Sequence, residues 1–200
     1  MFPRTIFQMR LFLLLLLSAL PALAQAPVAL RLTLVQFAGG AWAESDIRAV
    51  AEQAVKILAQ CAIAPGTLDL VRVDAEARFR RFHTPTSREL ARKLQLRTPA
   101  VYFVDGTRQR PAFDAEAIGR GNSRSRPELA DTVWIVRDAR DPAVALAHEL
   151  AHVLMDSGEH TDEPDNLMRD ETTPANTRLS AAQCARLRQN GIANGLLAPG

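Results

Sequence analysis

A chain of 200 residues, 48% hydrophobic and 23% charged, is long enough and apolar enough to build one globular domain around a real core. Its 24 basic and 22 acidic side chains come into balance once residues 1–24, which hold two arginines and no acid, are set aside. A balanced charge offers no electrostatic footprint for nucleic acid or an anionic membrane, and the arginines at Arg78, Arg80 and Arg81 read as a solvated face.

The first residues read as a signal peptide, 1–24. Arg4 and Arg10 give a positive start, Leu11 to Leu20 is almost wholly apolar, and Ala22-Leu23-Ala24 supplies small residues for cleavage before Gln25. The apolar run is short for a bilayer span, which leaves an uncleaved anchor as the alternative, and no cysteine follows it closely enough to carry a lipid. The expectation is an exported protein, periplasmic or secreted and of bacterial type, with one domain over 25–200 and no stable membrane association. With a first strand beginning near Val28, such a mature form has no room for an N-terminal inhibitory propeptide and is not a conventional zymogen. Two cysteines, Cys61 and Cys184, travel to an oxidising compartment, so a disulfide between them is expected. It closes a loop of more than a hundred residues, worth ~4 kcal/mol in the chain-entropy account. Neither has a CxxC partner, which removes thiol redox chemistry.

Val28 to Phe37 alternates Leu30, Leu32 and Leu34 with Arg31 and Thr33, a strand closed by Gly39-Gly40. Ile47, Val50, Ala51, Ala54, Leu58 and Cys61 then follow helical spacing from Ser45 to Ala62. Pro65-Gly66 ends that region, and Leu68 to Val73 is a second strand, parallel to the first through a right-handed crossover. Thr86-x-x-Glu89 has the form of a capping box for a helix through Leu94. Pro99 to Val104 is a strand ending in the turn Asp105-Gly106, and Thr132 to Val136 is another. The stretch between Arg108 and Arg126 shows no clear pattern. Asp141-Pro142 supplies a cap and a first-turn proline for a helix to Met155. Ser180-x-x-Gln183 opens a last helix that Gly191 stops.

His148-Glu149-Leu150-Ala151-His152 carries the chemistry. On a helix, residues four apart project from one face, so two imidazoles there can hold one zinc ion. Glu149 lies beside that face, able to take a proton from a zinc-bound water as it attacks a carbonyl and to return it to the leaving amine. Leu146, Leu150, Val153 and Leu154 make the core-facing stripe of the same helix. A catalytic zinc needs a third protein ligand and an open position. His160 is the leading candidate, because a helix break at Ser157-Gly158 lets the chain turn back. Asp156, Asp162 and Glu171 compete for the role, and His83 reads as an isolated surface residue.

These residues resemble the metzincin superfamily of zinc peptidases, and within it the matrixin-like branch. His148, Glu149, His152 and His160 follow the order of its motif, and Met168 stands eight residues after the third histidine, where that branch places the methionine turn beneath its metal. Met168 also suits ordinary core packing. Arg178-Leu179-Ser180 is similar to the entry of the branch's C-terminal helix. The likeness covers about 148 to 191. It departs from the family in having seven residues rather than five between the second and third histidines, with Gly158 only two before His160. The resemblance implies an α+β fold: a twisted mixed sheet, a long backing helix, an active-site helix and a C-terminal helix. It also implies a peptide substrate paired to an edge strand, expected near Ala117 to Gly121. The leading expectation is therefore an exported zinc metalloendopeptidase with Glu149 as general base, zinc on His148, His152 and His160, and a protein or peptide substrate. The alternatives are a non-catalytic zinc-binding module on a degenerate zincin fold and a zinc hydrolase of a non-peptide amide, such as a cell-wall component.

Overall fold

The computed structural model describes residues 26–200, so the predicted signal peptide lies outside the described residues. Strand β1 (Val28–Phe37) coincides with its predicted range, and its alternation sends Leu30, Leu32 and Leu34 to one face and Val35 and Phe37 to the other. After it come α1 (Glu44–Leu58), a 3-10 turn Ala59–Cys61, β2 (Ile63–Val73), β3 (Arg81–Phe82) and α2 (Thr84–Leu94). Then follow β4 (Ala100–Val104), β5 (Gly106–Thr107), β6 (Ala115–Ile118), β7 (Thr132–Val136), α3 (Pro142–Met155), α4 (Ala181–Ala193) and β8 (Leu197–Pro199). The main sheet runs β2-β1-β4-β7-β6, with β8 added antiparallel to the start of β1. Its first four strands are parallel and β6 is antiparallel at the edge, which makes the sheet mixed. Strands β4 and β7 are buried on both faces and accordingly read as unbroken apolar runs.

One face of the sheet carries α1 and α3, with Ile47, Ala54, Leu146, Leu150 and Leu154 interleaving with Val101, Phe103, Val133 and Ile135. On the other face Tyr102 stacks on Trp134 at 4.0 Å, and Phe82 packs against the same indole. Helix α3 touches α1, α4, β6 and β7, so it lies between the core and the antiparallel edge. Among the described residues no helix is long and apolar enough to cross a membrane.

Several local expectations need correction. The second strand begins at Ile63 and runs through Pro65-Gly66, where the β1 register slips between Leu30 and Leu32. A Cβ on Gly66 would meet the Leu30 carbonyl oxygen at 2.7 Å, so the glycine permits that close approach and does not end a segment. The predicted Thr86–Glu89 capping box is absent. Helix α2 starts three residues earlier, with His83 in the cap position, Thr86 donates to the His83 carbonyl, and Glu89 pairs with Arg78 and Lys93. Arg78 and Arg80 thus make ion pairs, Arg80 with Asp105, and are not simply solvated. Gly106, read as a turn, pairs with Arg81 in a small parallel ladder. Gly191 does not stop the last helix either. A Cβ there would press on Leu197 Cδ1 at 2.6 Å, so the residue lets β8 pack against α4, and the left-handed turn falls on Gly195.

Candidate metal centre and cleft

Helix α3 forms where the sequence places it. Asp141 caps it through its carboxylate, which accepts the Val144 N–H at 3.0 Å, and Pro142 fills the first turn. Its apolar stripe fixes the roll of the helix, and that roll presents His148 and His152 to the cleft side. The helix ends at Met155, and Asp156 takes the left-handed conformation with its N–H on the carbonyls of His152 and Val153. The break therefore comes before Ser157-Gly158, on an aspartate. From there the chain doubles back and brings His160 to the other two rings.

The three Nε2 atoms form a triangle with edges of 2.9, 3.2 and 3.3 Å. A tetrahedral ion bonded to three imidazoles at about 2.0–2.1 Å requires edges of about 3.3–3.4 Å, so the triangle is of the right size. The other ring nitrogens decide its chemistry. His148 Nδ1 donates to the Leu167 carbonyl at 2.6 Å and His152 Nδ1 to the Ser157 carbonyl at 2.7 Å. A carbonyl only accepts, so both rings carry their proton on Nδ1. His148 is 3% exposed and His152 9%. Burial holds the first below the usual histidine range and, with His148 as a second cause, pushes His152 down to about 4. Both rings are thus neutral near pH 7, with bare Nε2 lone pairs turned on each other. His160 faces the Asp170 carboxylate with its Nδ1 at 3.5 Å. Lone pairs converging at this distance repel unless a cation lies among them, and these three residues are a group that could hold a metal ion.

The competing ligands lie elsewhere. The Asp156 carboxylate accepts the Gly121 N–H at 2.8 Å, and Asp162 and Glu171 are exposed and outside the cluster. His83 immediately precedes α2 and does not line the cleft. Met168 is buried in the main core, as the packing reading expects, and also lines a small hollow beside His160. Cys61 and Cys184 are joined as a disulfide, as expected.

Above the triangle opens a cleft of about 570 Å³, with α3 as its floor, β6 on one rim and 170–172 on the other. Strand β6 covers Ala115–Ile118, a little before the expected Ala117 to Gly121. Its register fixes which of its amides are free. The Val136 N–H bonds to the Asp114 carbonyl, and Glu116 and Ile118 stand opposite Trp134 and Thr132. In an antiparallel ladder alternate residues face the partner, so Ala115 and Ala117 direct their N–H and C=O groups to the open edge. The Ala117 N–H points at Glu149. Glu149 is half-buried and lines the cleft. Burial first and the charge of Glu116 second push it up to about 8, with the Ala117 amide opposing them. Glu116 is itself raised by burial, against Arg126 at 3.3 Å.

Sequence reasoning did not find the orienting carbonyls of Leu167 and Ser157, Asp170 beside His160, or Glu116. Backbone acceptors leave no mark in residue identity. The carboxylates become neighbours only when the loop and the edge strand fold together.

The chain has the fold of metzincin metalloproteinases. Metalloproteinase-II from Bacteroides fragilis superposes with a TM-score of 0.57 and 23% identity, over 85% of this chain and 55% of that one. This chain therefore spans about half the length of the Bacteroides protein. Archaemetzincin from Methanopyrus kandleri superposes with a TM-score of 0.53 and 10% identity, over 81% of this chain and 95% of that one. At these identities the likeness is one of fold. No family model matches the sequence, and no curated protein is significantly similar to it.

Proposed function

We propose that this protein is an exported zinc metallopeptidase that hydrolyses peptide bonds in protein or peptide substrates. The observation that carries the reading is the convergence of three histidine Nε2 atoms, two from the buried face of α3 and one from the exposed loop after it, one residue away from a carboxylate on the same helix. Three imidazoles with an open side suit zinc. When bound, the ion supplies Lewis-acid polarisation of the scissile carbonyl and acidifies a water molecule. The protein supplies the rest. His148, His152 and His160 hold the ion, two of them oriented by backbone carbonyls. The outward amides of Ala115 and Ala117 give an extended peptide a strand to pair with, which sets its carbonyl over the triad. Glu149 accepts the proton of the attacking water on its carboxylate and delivers it to the nitrogen of the departing amine. A cation at the triad lowers the Glu149 pKa again, which favours the proton-accepting form.

Export is supported by the leader-like residues 1–24 and by the disulfide between Cys61 and Cys184, which persists in an oxidising compartment. The test is Glu149→Gln, assayed on unfolded protein, short peptides and peptidoglycan with and without chelator. Zinc stays bound while peptide hydrolysis falls by roughly a thousandfold or more, within the usual range for a general base. Unchanged turnover defeats the assigned role, and cleavage of peptidoglycan alone moves the substrate to a non-peptide amide.

A further inference from the structure

The capping residue of the last helix reaches the floor of the metal centre. Gln183 completes the capping box of α4, since its Oε1 accepts the Ser180 N–H at 2.8 Å while Ser180 Oγ accepts the Gln183 N–H. The same side chain meets Asn166 amide to amide. Asn166 Nδ2 donates to Gln183 Oε1 at 3.0 Å, and Gln183 Nε2 donates to Asn166 Oδ1 at 3.2 Å. Asn166 is 3% exposed, and its remaining capacity is also used: Oδ1 accepts the Met168 N–H at 2.8 Å and Nδ2 donates to Glu163 at 3.1 Å. The Ser180 and Met168 amides must each meet an oxygen, so the orientation of both side-chain amides is determined.

Between Asn166 and Met168 lies Leu167, whose carbonyl takes the His148 Nδ1 proton. We propose that the Asn166–Gln183 amide pair is a positioning element of the metal centre, holding the Leu167 carbonyl so that His148 keeps its Nε2 lone pair on the ion. The inference rests on the metal reading above. It gives α4 a task beyond packing: the helix start is a fixed post, and the turn beneath the triad is tied to it. The disulfide at Cys184, the next residue, anchors that post to the end of α1.

Two substitutions separate positioning from capping. Gln183→Glu keeps the box, because glutamate is at home in that capping position, but it sets a carboxylate oxygen against Asn166 Oδ1. Ser180→Ala breaks the box and leaves the amide pair. Metal-free proteins are titrated with zinc against a chromophoric chelator, the cobalt(II) forms are compared by visible absorption, and melting of the metal-free forms is followed alongside. The expected result is a loss of zinc affinity of about tenfold or more in Gln183→Glu, with an altered cobalt spectrum. Ser180→Ala keeps wild-type affinity and spectrum while its metal-free form melts earlier. Wild-type affinity and spectrum in Gln183→Glu overturn the proposal, as does an equal loss of affinity in both variants. Should Gln183→Glu not fold, Gln183→Met, of similar length and without an amide, is read in the same way. A wild-type protein that retains no ion overturns the metal reading itself, an outcome distinct from failure of the pair.

Discussion

His160 completes the triangle although seven residues separate it from His152, two more than the family pattern. The surplus is absorbed locally. Asp156 turns left-handed, the Ser157 N–H returns to the His152 carbonyl at 3.2 Å, and the Ser157 carbonyl comes to face the His152 ring. Past the site, the Thr161 N–H bonds to the Met168 carbonyl at 2.9 Å, so the exposed bend at 157–159 is pinned at both ends. One residue thus does two things, since the chain reversal also supplies the acceptor that fixes a ring. This predicts a sharp contrast between histidines. A structural zinc site is worth roughly 10–16 kcal/mol over its ligands, so losing one of them costs roughly a hundredfold in affinity or more. His160→Ala should show that loss in competition with a chromophoric chelator, whereas His83→Ala should bind as the wild type does. Comparable retention in the two variants would remove His160 from the ligand set.

At the scale of elements, β6 makes the most specific demand. Its Ala117 N–H is outside the ladder and points at Glu149. Proline is tolerated on an edge strand where it removes no ladder bond. Ala117→Pro should therefore fold and melt close to wild type while deleting an edge amide that faces Glu149 and that the proposed function also gives to the substrate. Peptide turnover is expected to fall by about tenfold, the order of one lost hydrogen bond to a charged group. A large drop in melting temperature would mean that this amide belongs to the sheet. The same strand shows where sequence reading stops. Strands β1 and β7 and helix α3 have an apolar alternation, a continuous apolar run and a capped apolar stripe, and each was legible. Strand β6 reads Ala-Glu-Ala-Ile in a stretch crowded with Gly, Pro and Arg, so its pairing with β7 is tertiary information. The Thr86–Glu89 pattern failed for the complementary reason. Glu89 found a bidentate partner in Arg78, and a long-range ion pair outbid a local cap. Within the site, His148 and His152 were legible from their helical spacing and His160 as the leading of several candidates, and the three rings do come together. The groups that orient two of them are backbone oxygens, which leave no mark in the sequence.

Over the whole molecule, one covalent link ties the corner after α1 to the start of α4. The Cys61–Cys184 bridge joins residues 123 apart, at the corner after α1 and the first turns of α4. Hydrogen bonds reinforce the same corner. Gln60 donates to the Thr177 carbonyl and accepts from the Leu179 N–H, and Arg188 donates to the carbonyls of Cys61 and Ala62. None of these bonds involves a sulfur atom, so the native corner is expected to keep its shape without the bridge, which would then act mainly by restricting the unfolded chain. A loop of this length is worth up to about 4–5 kcal/mol in that account. The double variant Cys61→Ser, Cys184→Ser should therefore retain zinc and peptide hydrolysis per folded molecule at 25 °C, yet unfold at a clearly lower urea concentration. Its unfolding slope should be equal or steeper, because the freed chain exposes more surface. The two quantities distinguish the mechanisms. A lower midpoint with intact activity places the effect in the unfolded ensemble, whereas loss of zinc in the folded variant would mean that the bridge holds the α4 start in register with the turn under the triad.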